Sequence, residues 1–361
     1  MMQSSTSLNR RRMLVHSAGL SLSAVSLSGL ASTRGLSDEP AGVKSAGEGD
    51  PAADSASTAA ASTATPPVGT PSDYAPRVAA SPSIETWRFG LMLDTPSTLT
   101  NIQATFPIPR DWPEQKVEVV TQNFDPRMRF SVRDLPGDLA KQVVVVSPKV
   151  VAGSTVNAYV DLKITKHNLM APVQTDGLEW PQRVQKDMRN FIASSPHIDT
   201  SHGTIKRAYR DLVPNLPDGT WERVEAIYDF VRQEVRYEEG PIRNASDALK
   251  TGKGDCEDMT SLFVALCRNA KVPARMVWIP GHCYPEFYLR QPEGSGHWYP
   301  CQAAGSRAFG EMQETRPIMQ KGDRFKVPEA KTPVRYLAET FRCSKQGRGN
   351  PKPKFLMEKI S

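Results

Sequence analysis

The chain has 361 residues, with 45 Lys and Arg against 39 Asp and Glu, a formal net charge of +6, and 39% hydrophobic residues. Its mean hydropathy is −0.44, which fits one or two soluble globular domains with some unstructured sequence attached. Arg10, Arg11 and Arg12 supply half of the excess charge, and residues 1–31 hold no acid. The remainder is close to neutral and shows no basic run interleaved with aromatics, so a nucleic-acid partner is excluded.

The first element, residues 1–31, reads as an export signal. Paired arginines precede Met13 and Leu14, a mildly apolar Ser/Ala/Gly/Leu stretch runs to Leu30, and Gly29-Leu30-Ala31 offers a small-x-small cleavage site. The arrangement resembles a twin-arginine (Tat) signal, favoured over a Sec signal. It implies a bacterial or archaeal source and a periplasmic or secreted location. His16 with Ser17, Ser21, Ser23 and Ser26 makes the stretch a poor bilayer span; left uncleaved, it would serve as a membrane tether. Residues 32–83 include the run PAADSASTAAASTATPPVGTPSD. Such a composition buries too little apolar surface to offset its ordering entropy, and a disordered linker is expected.

Residues 84–166 change texture. Thr86–Leu93, Asn101–Ile108, Lys116–Val120, Gln142–Val146 and Val156–Ile164 are short β-branched or alternating runs separated by Pro, Asp and Gly. They predict a small antiparallel sandwich without chemistry of its own. A core-packed helix follows, with Trp221, Val224, Ile227, Tyr228 and Val231 at spacings of three and four and Thr220 as the natural N-cap.

The segment GKGDCEDM leads through two glycines into Cys256, after which Met259, Leu262, Phe263 and Leu266 form a buried helical stripe. Cys256 is thus expected at a helix start, where free N–H groups and the helix dipole favour a thiolate and could meet a developing oxyanion. Pro273 then ends the helix. Strands are expected over Ala274–Ile279, over His282–Leu289 after a Pro280-Gly281 break, and over His297–Gln302. Period-two alternation puts His282, Tyr284 and Glu286 on one face and Cys283, Pro285 and Phe287 on the other.

The run GDCEDMTSLFVALCRNAKVPARMVWIPGH, continued by EFYL and GHWYPCQ, resembles the core of the transglutaminase-like superfamily. The resemblance implies an α+β fold for residues 178–343, a papain-like core whose Cys-bearing helix packs on an antiparallel sheet. It implies Cys256 as nucleophile, His282 as general base and Gln302 in the third position, where most members have Asp. An amide can orient a histidine, as Asn does in papain-like enzymes, but it stabilises imidazolium less than a carboxylate. Glu286 aligns with an acidic position common in the family and is assigned a hydrogen-bonding role. His297 is a substitute base or a solvated surface residue.

If His282 lies opposite Gln302 on adjacent strands, Cys283 also faces Cys301, and a cross-strand disulfide there would brace the sheet on the side away from the site. No CxxC or HxxxH spacing suggests zinc, and no cofactor or metal is expected. Residues 344–361 read as a basic tail. The implied activity is a thiol peptidase or amidase, or a protein-glutamine acyltransferase, acting on peptide or protein substrates, including those of the cell envelope. The alternative is a catalytically weak or inactive binding or scaffolding protein of the envelope.

Overall fold

The computed structural model describes residues 73–181 and 183–361. The expected export signal, 1–31, and most of the linker lie outside the described residues. In chain order the first strands are β1 (Arg77–Val78), β2 (Ser83–Thr95), β3 (Thr98–Ile108), β4 (Gln115–Phe124), β5 (Arg129–Asp134), β6 (Lys141–Val150), β7 (Ser154–Lys166) and β8 (Leu169–Met170). The helical part holds α1 (Gly203–Leu212), α2 (Thr220–Glu234), β9 (Arg236–Tyr237), α3 (Ala245–Thr251), β10 (Lys253–Gly254) and α4 (Cys256–Asn269). The chain closes with β11 (Ala274–Ile279), β12 (His282–Arg290), β13 (Gly296–Pro300), β14 (Gln320–Lys321), β15 (Thr340–Gln346) and β16 (Lys352–Lys359).

The β-rich region is a sandwich of two four-stranded sheets, ordered β15-β3-β6-β5 and β16-β2-β7-β4. Alternation drives it: Phe89, Leu91 and Leu93 of β2 and Val156, Ala158 and Val160 of β7 are buried between the sheets. Two expectations need correction. The segment 344–361 is not a solvated tail: β15 and β16 are edge strands paired with β3 and β2. Its lysines sit on the solvated side of an edge, where charge discourages further pairing, while Phe355 and Leu356 are buried. The last part of the expected linker is also ordered. Tyr74 is buried, its carbonyl accepts a 2.7 Å hydrogen bond from the Tyr299 hydroxyl, and β1 pairs with β8. One large aromatic gives this stretch the apolar surface that the Ala/Ser/Thr run before it lacks.

In the second layer α4 packs on the sheet β13-β12-β11-β14. Helix α2 docks through Trp221, whose ring meets Phe287, Tyr299 and Phe309 edge-on at 5.0–5.6 Å. Such pairs contribute about 0.5–1.5 kcal/mol each beyond area burial. Gly219 is the N-cap of α2 and Thr220 its first residue, one place from the expected cap. The far face of the sheet carries Val277, Ile279, Tyr284 and Ile318 with Leu169 and Trp112. There Lys321 bridges Glu286 at 2.6 Å and Glu114 at 2.7 Å, all three at 4% side-chain exposure or less. This buried ion chain ties the sheet β13-β12-β11-β14 to the sandwich. No helix among the described residues is long and apolar enough to cross a membrane.

Candidate active site

Cys256 is the first residue of α4. Asp255 caps the helix by accepting from the Glu257 and Asp258 N–H groups, and Asp258 answers on the Asp255 N–H, a complete capping box. Gly254 leaves the Asp258 side chain room to do this, since a Cβ there would lie 2.7 Å from that of Asp258. The cap uses two of the N–H groups that the sequence offered to an oxyanion; the Cys256 N–H is outside it. Acidic side chains at 255, 257 and 258 also oppose a thiolate at this helix end. The helix start alone therefore does not favour a thiolate at Cys256.

His282 opens β12. Pro280 and Gly281 make a two-residue turn with Gly281 at φ 74°, a conformation glycine takes without strain at the second central position. The His282 Nε2 lies 2.9 Å from Gln302 Oε1. An amide oxygen only accepts, so Nε2 carries the proton. The ring's other nitrogen is left for the Cys256 sulfur, whose presence raises the imidazole.

Gln302 lies just past the end of β13. Its carbonyl accepts from the Tyr228 hydroxyl at 2.9 Å and from Arg232 at 3.1 Å, and its N–H donates to the Ala308 carbonyl. Helix α2 thus fixes the backbone whose side chain orients the histidine. The helical pattern predicted Tyr228 as core; only the fold shows that it and Arg232 converge on Gln302, some seventy residues away.

The electrostatics favour the charged forms of the pair. The Cys256 thiol is held well below its ordinary value, first by a hydrogen bond from the Cys283 thiol, against burial, and then by hydrogen bonding to His282 and its charge. His282 is raised: burial pulls it down, but the Cys256 and Gln302 hydrogen bonds more than offset this. Asp255 is pushed up to about 6, by burial first and then by Asp258. A depressed thiol beside a raised imidazole favours the thiolate–imidazolium form of the pair.

The expected Cys283–Cys301 disulfide is overturned. All five cysteines are free, and the β12–β13 register pairs Glu286 with Pro300 and Phe287 with Tyr299, two residues away from the slip that the disulfide required. The Cys301 N–H reaches the Pro285 carbonyl instead of facing Cys283. Cys283 is also not remote from the site, because its side chain faces α4. Cys267 is fully buried and its thiol pushed up by that burial.

His297 hydrogen-bonds Gln291 at 3.3 Å and is lowered by burial; no contact joins it to Cys256. Glu286 is committed to Arg275 and Lys321 at 2.6–2.7 Å. A cavity of about 350 Å³ lies beside it, lined by Trp112, Glu114, Glu286, His297, Trp298 and Lys321 and by none of Cys256, His282 or Gln302. Among the described residues no group of three or more His, Cys, Asp or Glu could hold a metal ion.

Comparison with known proteins agrees with this geometry. The model of the transglutaminase-like superfamily matches residues 207–303, which contain all three site residues. No curated protein matches the chain. Among solved structures, a "putative cysteine protease" from Cytophaga hutchinsonii is similar over 78% of this chain and 99% of its own, with TM-score 0.52 and 14% identity. At that identity the likeness speaks for the fold alone. A "putative protease" from Parabacteroides distasonis ATCC 8503 covers 64% of this chain and 48% of its own at 12% identity and TM-score 0.26. Residues 207–303 of this chain thus match a transglutaminase-like domain, and the helix-borne cysteine and the strand-borne histidine both lie within that match.

Proposed function

We propose that the protein is an exported thiol hydrolase that cleaves peptide or related amide bonds through an acyl-enzyme on Cys256. The observation that carries the reading is the His282 imidazole, shared between the Cys256 sulfur and the Gln302 amide oxygen at 2.9 Å. The Cys256 thiolate attacks the carbonyl carbon, and the Cys256 N–H, which the helix cap leaves out, is the donor assigned to the developing oxyanion. Imidazolium gives its proton to the leaving nitrogen, the amine departs, and a thioester remains. Neutral His282 then takes a proton from water, whose oxygen attacks the thioester; the acid leaves and the thiolate returns. An amine in place of water would give a new amide.

Incubating the protein with defined peptides, with and without a primary amine, tests the choice. Free acid as the main product, lost in Cys256→Ala, is expected; a dominant new amide would overturn hydrolysis. The uncharged Gln302 motivates the second reading, a binding protein that keeps the fold. It predicts tight peptide retention with neither product. The arginines at 10–12 and the apolar stretch after them support export, and cell fractionation that finds the mature chain in the cytoplasm would overturn it.

A further inference from the structure

Beside Cys256 stands a second thiol that the catalytic scheme leaves unused. Cys283 is 1% exposed and follows His282 directly on β12. Its side chain points at the first turn of α4, with Sγ 3.8 Å from Thr260 Oγ1. Thr260 is four residues after Cys256, so the two lie one above the other on a single helix face. The Cys283 thiol, bonded to Thr260, therefore stands one helical turn from the Cys256 sulfur, and it is the first of the groups that hold the Cys256 thiol below its ordinary value. A thiol has one proton. With Cys256 neutral that proton can rest on Thr260; with Cys256 ionised it has a charged acceptor, and charge-assisted hydrogen bonds are the stronger ones.

The backbone adds a second donor. Along an antiparallel strand successive residues turn their N–H groups to opposite neighbours. On β12 the Tyr288 N–H reaches the β11 side at the Pro273 carbonyl, while the Pro285 carbonyl faces the β13 side and accepts from Cys301. Cys283, in phase with Pro285, also faces the β13 side, but the ladder there stops at Glu286 and Pro300. The sheet leaves its N–H unused, and that N–H is among the groups that hold the Cys256 thiol down.

We propose that Cys283 is a positioning residue: its thiol and backbone N–H both donate to the Cys256 thiolate, supplying stabilisation that the uncharged Gln302 does not. The inference rests on the thiol-enzyme reading and deepens it. Other titratable groups face the sulfur or its base: Asp255 and Glu257 from α4, Tyr237 from β9, His282 from β12, and Arg316 toward His282. The test must therefore change Cys283 alone.

The rate of iodoacetamide addition to the Cys256 peptide would be followed against pH, with a phosphine reductant present, in the full-length protein and in Cys283→Ala and Cys283→Ser. Reading the peptide by mass separates Cys256 from the other cysteines. Cys283→Ala is expected to move the thiolate profile to higher pH by one unit or more, about a tenfold lower rate on the acid side. Cys283→Ser, which restores a donor, is expected to recover most of it, with both variants melting alike. An unmoved profile in Cys283→Ala, or equal displacement in both variants, overturns the inference while leaving the nucleophile standing. An ordinary thiol profile already in the unsubstituted protein overturns it together with the thiol-enzyme reading.

Discussion

Gln302→Glu replaces an amide by a carboxylate of the same length, 2.9 Å from a protonated ring nitrogen of His282. The Tyr228 and Arg232 hydrogen bonds to the Gln302 carbonyl hold the backbone and are untouched by the change. With charge centres about 4 Å apart and an effective dielectric constant of about 20, the imidazolium gains about 4 kcal/mol. At 1.36 kcal/mol per pH unit that caps the rise in the His282 pKa at about three units. Taking the new carboxylate out of water consumes part of it, so the expected rise is about one to three units. The sign follows from the charge: imidazolium persists to higher pH, and the alkaline limb of turnover moves up with it. Titration of ¹³Cε1-labelled histidine by NMR, with His282→Ala to assign the resonance, measures the shift directly. A resonance that titrates as in the unsubstituted protein, or at lower pH, would refute the proposed geometry of Gln302 and His282.

Two further predictions concern stability. Asp255→Asn keeps an N-capping side chain but removes a carboxyl raised to about 6 from its ordinary value of 3.8. A raised carboxyl contributes stability that is complete below pH ~4 and is lost as pH rises through ~6. The variant should match the unsubstituted protein in acid and melt higher at neutral pH, and identical melting curves at both pH values would contradict this. Arg268→Met leaves the Asp323 carboxylate, 1% exposed and bonded to Arg268 at 2.8 and 3.0 Å, without its cation. It also frees the Ala274 and Ala193 carbonyls. Urea unfolding should show a loss of about 3–5 kcal/mol, and a loss below about 1 kcal/mol would mean that water or another group rescues Asp323.

The site was legible where its signals are local. The Gly-Asp-Cys turn and the stripe at Met259, Leu262, Phe263 and Leu266 announced a helix beginning at Cys256, and α4 begins there. The Pro280-Gly281 break placed His282 at a strand start. Register is set by partners far along the chain, and there the reading went astray. A slip of two residues keeps every side chain on its face, so alternation could not reveal that Cys301 lies opposite Pro285 rather than Cys283. Parity did place Cys283 away from the Tyr284 face, but the face it chose is the one α4 covers. His282 reaches the sulfur from the turn end of the strand, where the period-two rule no longer separates it from its neighbour.

The sandwich shows the same divide. Strands rich in valine or with clear alternation were read, whereas β5, β15 and β16 were not. Arg129, Arg133, Arg342, Lys352 and Lys354 mark these as solvated sequence, and they are edge or edge-facing strands whose outer side needs that charge.

The central claim is that Cys256 and His282 form a thiolate–imidazolium pair. The pH dependence of Cys256 alkylation in the unsubstituted protein and in His282→Ala tests it most directly. A profile lying well below that of a free thiol, and displaced upward when His282 is removed, is the predicted result. Slow labelling with an ordinary thiol profile, the same in both proteins, would contradict it.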